Sequence, residues 1–217
     1  VDTLEQHAFG NFRDLLEAVS MHPAMGYYLS HRGNRKAEYP NNDPSQPPLR
    51  VPDENYAREV MQLFTIGVVE LEPDGRTKLE NGQPKDTYGE DDVRNLARVF
   101  TGWDWLPRSD PDWSRKPMQF NASRHSPEEK VFLGTTIPAG TGGIESLALA
   151  LDTLFQHPNT APFVASIKPF TRLSASQFRA PGPYALTDPR YATDFNETRD
   201  VGGVSSTLRT AGQTTAA

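Results

Sequence analysis

Pro52-Asp53-Glu54-Asn55-Tyr56-Ala57-Arg58-Glu59-Val60-Met61-Gln62-Leu63-Phe64-Thr65-Ile66-Gly67 is the stretch whose reading decides the fold. Pro52 and Asp53 supply a helix start, with Asp53 as N-cap, and Gly67 supplies the stop just past the last apolar residue. Ala57, Val60, Met61 and Phe64 recur at helical spacing, and Tyr56 and Leu63 widen that stripe. Glu54, Asn55, Arg58, Glu59 and Gln62 take the remaining arc. The spacing predicts a helix over 53–66 wedged among other helices. A helix covered over most of its circumference must pair or solvate the charges it carries, because an unpaired buried charge is strongly destabilising. Glu54 and Arg58, one turn apart, are the pair that the spacing offers.

On the N-terminal side, Phe12, Leu15, Leu16 and Val19 have helical spacing, and His22-Pro23 ends that helix and opens a second one carrying Met25, Tyr28 and Leu29. The loop at 34–49 holds Pro40, Pro44, Pro47 and Pro48, which forbid regular structure. On the C-terminal side, Pro73-Asp74-Gly75 is a turn signal between two short extended runs, so one small β-hairpin is expected there. Glu90, Asp91 and Asp92 complement the N-terminus of a further helix with Val93, Leu96, Ala97 and Phe100 as its stripe, stopped by Gly102. Residues 106–126 show no period and read as a loop pinned by Trp103, Trp105, Trp113 and Phe120. A last helix carries Leu147, Leu151 and Leu154 and ends in His157-Pro158, as the first ended in His22-Pro23. One helix-Pro-helix corner is thus used twice, with both histidines read as cations meeting a helix C-terminus.

These elements predict a mainly α fold: an irregular multi-helix domain over 1–168 with long Pro- and Gly-rich loops and one small β-hairpin. The Pro-, Ser- and Thr-rich text of 169–217 is expected to be a low-order tail, probed by no apolar period. The 217 residues carry a net charge of −6, which argues against a nucleic-acid partner, since a phosphate backbone must be met by clustered Lys and Arg. His31, Arg32, Arg35 and Lys36 are the only basic cluster and read as a solvated loop. Without cysteine the chain has no disulfide, no thiol catalysis and no Cys-ligated zinc. No run of about 18 apolar residues is present, so no membrane span is expected. Val1 in place of Met reads as a fragment or a processed chain.

Four motifs taken together resemble a bacterial family, domain of unknown function 1800. They are His22-Pro23-Ala24-Met25-Gly26, the stretch 52–67, Asp92-Val93-Arg94-Asn95-Leu96-Ala97-Arg98-Val99-Phe100-Thr101-Gly102-Trp103, and 125–134. The likeness covers residues 9–165 in the same order and marks the chain as a partial copy. It implies a predominantly helical fold, longer full-length proteins and export to the periplasm or beyond the cell, with no known activity. Many relatives carry a histidine where this chain has Phe64, and the family continues after Val164 with a further helix where this chain turns to its tail.

Glu54, Arg58, Glu59 and His125 are the candidate catalytic residues, because a carboxylate beside a histidine in a partly dry cleft is a usable acid-base system. The structural reading makes Arg58 a clamp between helix ends and the Pro-rich loop, and His125 a loop anchor. No metal site is expected, since a spacing such as His-Glu-x-x-His is missing, and Gly140-Thr141-Gly142-Gly143 lacks the Gly-Lys-Ser/Thr ending of a phosphate loop, so no cofactor is implied. Three functions follow: a helical scaffold or interaction protein with a protein partner in an exported assembly, a hydrolase-like enzyme, or a carbohydrate- or peptide-binding module using the loop of Trp103, Trp105 and Trp113.

Overall fold

The backbone of 52–67 starts as expected and then departs from an α-helix. In the computed structural model, which describes residues 2–166, the Asn55 N–H donates to Asp53 Oδ1 at 2.8 Å and opens α4, Asn55–Glu59. From Val60 to Thr65 the chain widens into a π-helix. Thr65 Oγ1 donates to the Val60 carbonyl at 2.6 Å, and the Ile66 N–H reaches back five residues to Met61 at 3.0 Å. The widened turn gathers Tyr56, Ala57, Val60, Met61 and Ile66 on one face, all at 0% exposure. Leu63 is turned out to solvent and Phe64 is only partly buried, which corrects the straight stripe drawn from a 3.6-residue period.

Around this segment the chain builds α1 (Asp2–Gln6), α2 (Phe12–Ser20), α3 (Pro23–Tyr28), α5 (Glu90–Val99), α6 (Gly143–Gln156) and α7 (Thr160–Ser166). The core is shared by Leu16, Val93, Leu96, Phe100, Leu147, Leu151 and Leu154 with the face of α4 and its π extension. α5 packs against α4 on one side and α6 on another, and α2 packs along α6. At the end of the π segment Gly67 has φ +65°, and a β-carbon there would press on the Phe163 ring, so glycine is required twice over.

The expectation of a mainly α fold with a single hairpin is overturned. Among the described residues 41% are helical and 12% lie in strands or bridges, and much of the rest is loop. Three two-stranded antiparallel sheets are present: β1 (Leu79–Glu80) with β2 (Gln83–Pro84), β3 (Trp103–Asp104) with β4 (Gln119–Phe120), and β5 (Lys130–Phe132) with β6 (Thr135–Ile137). Two of them close on two-residue turns with both residues at positive φ, Asn81-Gly82 and Leu133-Gly134. The expected turn at Pro73-Asp74-Gly75 is formed too, with a single bridge from Leu71 to Thr77. α5 fixes the last hairpin: Asp92 accepts from the Gly89 N–H through one oxygen at 2.8 Å and from the Leu133 N–H through the other at 2.7 Å.

The corner at His-Pro recurs with the same geometry. His22 Nδ1 accepts from the Ala24 N–H at 3.1 Å, and His157 Nδ1 accepts from the Asn159 N–H at 3.1 Å. Both rings thus cap the start of the next stretch through Nδ1, where the sequence suggested a helix-end cation. Asn159 then locks the second corner, its Nδ2 donating to the Ile66 and Val69 carbonyls at 2.6 and 2.9 Å and its Oδ1 accepting from the Leu71 N–H at 2.6 Å. No described helix is long and apolar enough to cross a membrane. The tail expected over 169–217 lies outside the described residues.

Candidate functional site

Of the four candidate catalytic residues, Glu54 and Arg58 are brought together, and His125 lies at the other end of α5. Arg58 projects from α4 to the N-terminal end of α5, where its two terminal nitrogens donate to the two oxygens of Glu90 at 3.1 and 3.2 Å, with Glu54 at 3.4 Å. The Glu90 hydrogen bond raises the guanidinium pKa, and the same contact lowers that of Glu90. Glu59 is half-buried on the same helix. His125 sits beyond the other end of α5: its Nδ1 donates to the Thr101 carbonyl at 2.9 Å, and its ring meets Phe120 edge-on. With a rise of about 1.5 Å per residue, the ten residues of α5 hold the two groups on the order of 15 Å apart. His125 Nε2 is buried without a partner among the described residues, and burial lowers the ring's pKa. Among those residues no group of three or more His, Asp or Glu is placed to hold a metal.

His31, expected in a solvated loop, is instead part of the core at 1% exposure. Its Nε2 donates to the Ser20 carbonyl at 2.8 Å, Ser20 Oγ donates to the Leu16 carbonyl at 2.6 Å, and Tyr56 Oη donates to Ser20 Oγ at 2.6 Å. The imidazole lies 3.9 Å from the Tyr56 ring, centre to centre, and Tyr56 meets Phe100 edge-on at 4.7 Å. Burial holds the His31 pKa down at about 4, so the ring is neutral at pH 7 and adds no charge to the neighbouring arginines.

The three tryptophans divide. Trp103 is in the core at 4% exposure, stacked at a tilt on Phe120. Trp105 and Trp113 are half-buried 5.0 Å apart, and the exposed ring of Tyr27 from α3 stacks on Trp105 at 6.1 Å. We call this row the aromatic shelf. It is held from below: Trp105 Nε1 donates to the Pro23 carbonyl at 3.1 Å, and Gln119 Nε2 donates to the Trp105 carbonyl at 2.8 Å. Arg32 lies over Trp105 with Cζ 4.0 Å from the ring centre and donates through Nε to Asp104 at 3.0 Å, while Arg124 takes the other Asp104 oxygen at 2.9 Å. Arg108 lies over Trp113 at 5.4 Å. α3 reaches this position because Gly26 is packed under Met118, whose sulfur a β-carbon would meet at 2.5 Å.

Next to the shelf, a groove of about 430 Å³ opens between the loop at 30–35 and the strand-like return at 50–53, lined by Arg32, Arg35, Arg50 and Asp53 among others. Asn34 forms its base, donating to the Asp53 carbonyl at 3.1 Å and accepting from the Asp53 N–H at 2.8 Å. Tyr27 was not visible as a site residue, although Pro23, Gly26 and Leu29 define the buried face of α3 and leave positions 27 and 28 facing out.

The family comparison agrees with the motifs. Residues 1–210 match the family model described as Protein of unknown function (DUF1800), and the chain belongs to that family. No curated protein and no solved structure matches it.

Proposed function

Proceeding from that membership, we propose that this protein is a scaffold or interaction module of an exported bacterial assembly, and that it recognises its partner through the aromatic shelf. The observation that carries the reading is the Tyr27, Trp105 and Trp113 row with Arg32 seated over Trp105. Rings of this size that are held rigidly and left accessible contribute contact area at little cost in side-chain entropy, which suits recognition. The separation of Arg58 from His125 along α5, and the burial of His125, favour this role over a hydrolase. The exported setting rests on the family likeness.

Titrating panels of defined peptides and of defined polysaccharides into the protein while following tryptophan fluorescence tests the reading. Binding should change the emission, and Trp113→Ala should weaken it by about tenfold with the melting temperature nearly unchanged, as for a central aromatic contact. Hydrolytic activity that vanishes in His125→Gln and Glu59→Gln while Trp113→Ala is unaffected would replace this reading with the enzyme one.

A further inference from the structure

We propose that the aromatic shelf and the adjoining arginine groove form one site for an acidic polysaccharide, sugar rings lying along Tyr27 and Trp113 and a uronate carboxylate seated on Arg35. This rests on the recognition role given to the shelf and names its ligand class. Arg32 joins the two parts, since its guanidinium covers Trp105 and also lines the groove. Sugars present a C–H face that packs on aromatic rings, and a guanidinium fork matches a carboxylate in two parallel hydrogen bonds.

The groove has donors to spare. Arg32 uses only Nε on Asp104, and Arg50 uses only one terminal nitrogen on Glu38, at 3.1 Å. A guanidinium has five N–H groups, so most of theirs are uncommitted. Arg35 makes no side-chain pair among the described residues, although its backbone N–H is fixed by Asn34 at 2.9 Å. Asp53 is the one carboxylate in the lining, and Asn55 and Ser30 both donate to it, at 2.8 and 3.1 Å. Four guanidiniums, those of Arg32, Arg35, Arg50 and Arg124, face the three carboxylates of Asp53, Asp104 and Glu38, which leaves one positive charge in excess at the site in a chain of net charge −6. A polyuronate carries one carboxylate on each sugar ring, so ring contact and ion pair repeat together along it, whereas a nucleic acid draws most of its affinity from clustered Lys and Arg, which a chain of net charge −6 offers only sparingly.

The test uses tryptophan fluorescence titration of the full chain with polygalacturonate, with its fully methyl-esterified form and with single-stranded DNA, in wild type, Arg35→Gln and Trp113→Ala, with melting temperatures as the folding check. Polygalacturonate should bind wild type about tenfold more tightly than the ester, the worth of one charge-assisted contact. Arg35→Gln should bring the two within about twofold, and Trp113→Ala should weaken both by about tenfold. Equal binding of acid and ester by wild type, or DNA binding as tight as polygalacturonate, overturns the ligand class. In the first case a Trp113-dependent signal leaves the shelf as a recognition surface, whereas no Trp113-dependent signal with any probe removes both.

Discussion

Two aromatic clusters stand four residues apart in sequence and are built on opposite terms. His31, Tyr56 and Phe100 form a knot inside, and Tyr27, Trp105 and Trp113 form a shelf outside. In the knot the Tyr56 hydroxyl and the His31 Nε2 are both spent on Ser20, and the rings face only protein. In the shelf the ring faces are met by arginines, whose charged ends remain half in water. A cluster enclosed by protein, with only His31 Nδ1 left without a partner among the described residues, is architecture, and one completed by exposed cations is open to a partner. The largest test of this contrast is a pair of truncations. Tyr56→Ala should cost about 3–5 kcal/mol in a urea titration, as large aromatic deletions in a core do, while Tyr27→Ala should stay within about 0.5 kcal/mol. Comparable losses at the two positions would erase the distinction.

Acid sharpens the same contrast, because the knot holds a buried imidazole. The folded His31 pKa is about 4 against an ordinary 6.5, so the unfolded chain takes up a proton between those values that the folded chain refuses. Stability is therefore complete above pH 6.5 and falls as pH drops toward 4, by about 3 kcal/mol from this ring at about 1.4 kcal/mol per pKa unit. His125 and His157, also lowered by burial, add in the same direction. The carboxylates of Glu70 and Glu90 are held low by Lys85 and Arg58, and their contribution begins to drop out only in more acid solution. Urea midpoints measured across pH 7 to 4 should show the loss in wild type and a shallower slope in His31→Phe. Parallel slopes would mean that the imidazole is not the group being protonated.

The core stripes and the His-Pro corners are legible in the sequence, and the long-range bonds that fix them are not. Val93, Leu96, Ala97 and Phe100, and Leu147, Leu151 and Leu154, are all buried, because helical period and burial are one physical constraint. The π segment was missed because its widening depends on Thr65 bonding five residues back and on the core face it completes. Asn81-Gly82 has the composition of a two-residue hairpin turn, whereas Leu133-Gly134 does not announce one, since leucine at positive φ goes against its own preference. Asn159 looked like an ordinary polar residue after Pro158, yet its bonds to Ile66, Val69 and Leu71 join stretches about ninety positions apart, as no local pattern can announce. For the shelf, Trp105 and Trp113 were visible by type, but the burial of Trp103 was decided by its tilt onto Phe120, a partner from another strand.

The smallest expected effect concerns Arg58 and Glu90, which belong to neither cluster. The geometry is a two-pronged pair, but the side chains are 36% and 62% exposed, so water and salt screen most of the attraction. A double-mutant cycle with Arg58→Met and Glu90→Gln should give a coupling of about 0.5–1 kcal/mol, reduced in 1 M NaCl, where the screening length falls to about 3 Å. Such a value assigns the pair to orienting α4 on α5. A coupling near about 3 kcal/mol would put it with the knot instead, in the range of buried pairs broken from one side. Loss of function at full stability would be the third result, and it would move the chemistry from the shelf to the end of α5, where Glu54 lies within reach of the same guanidinium.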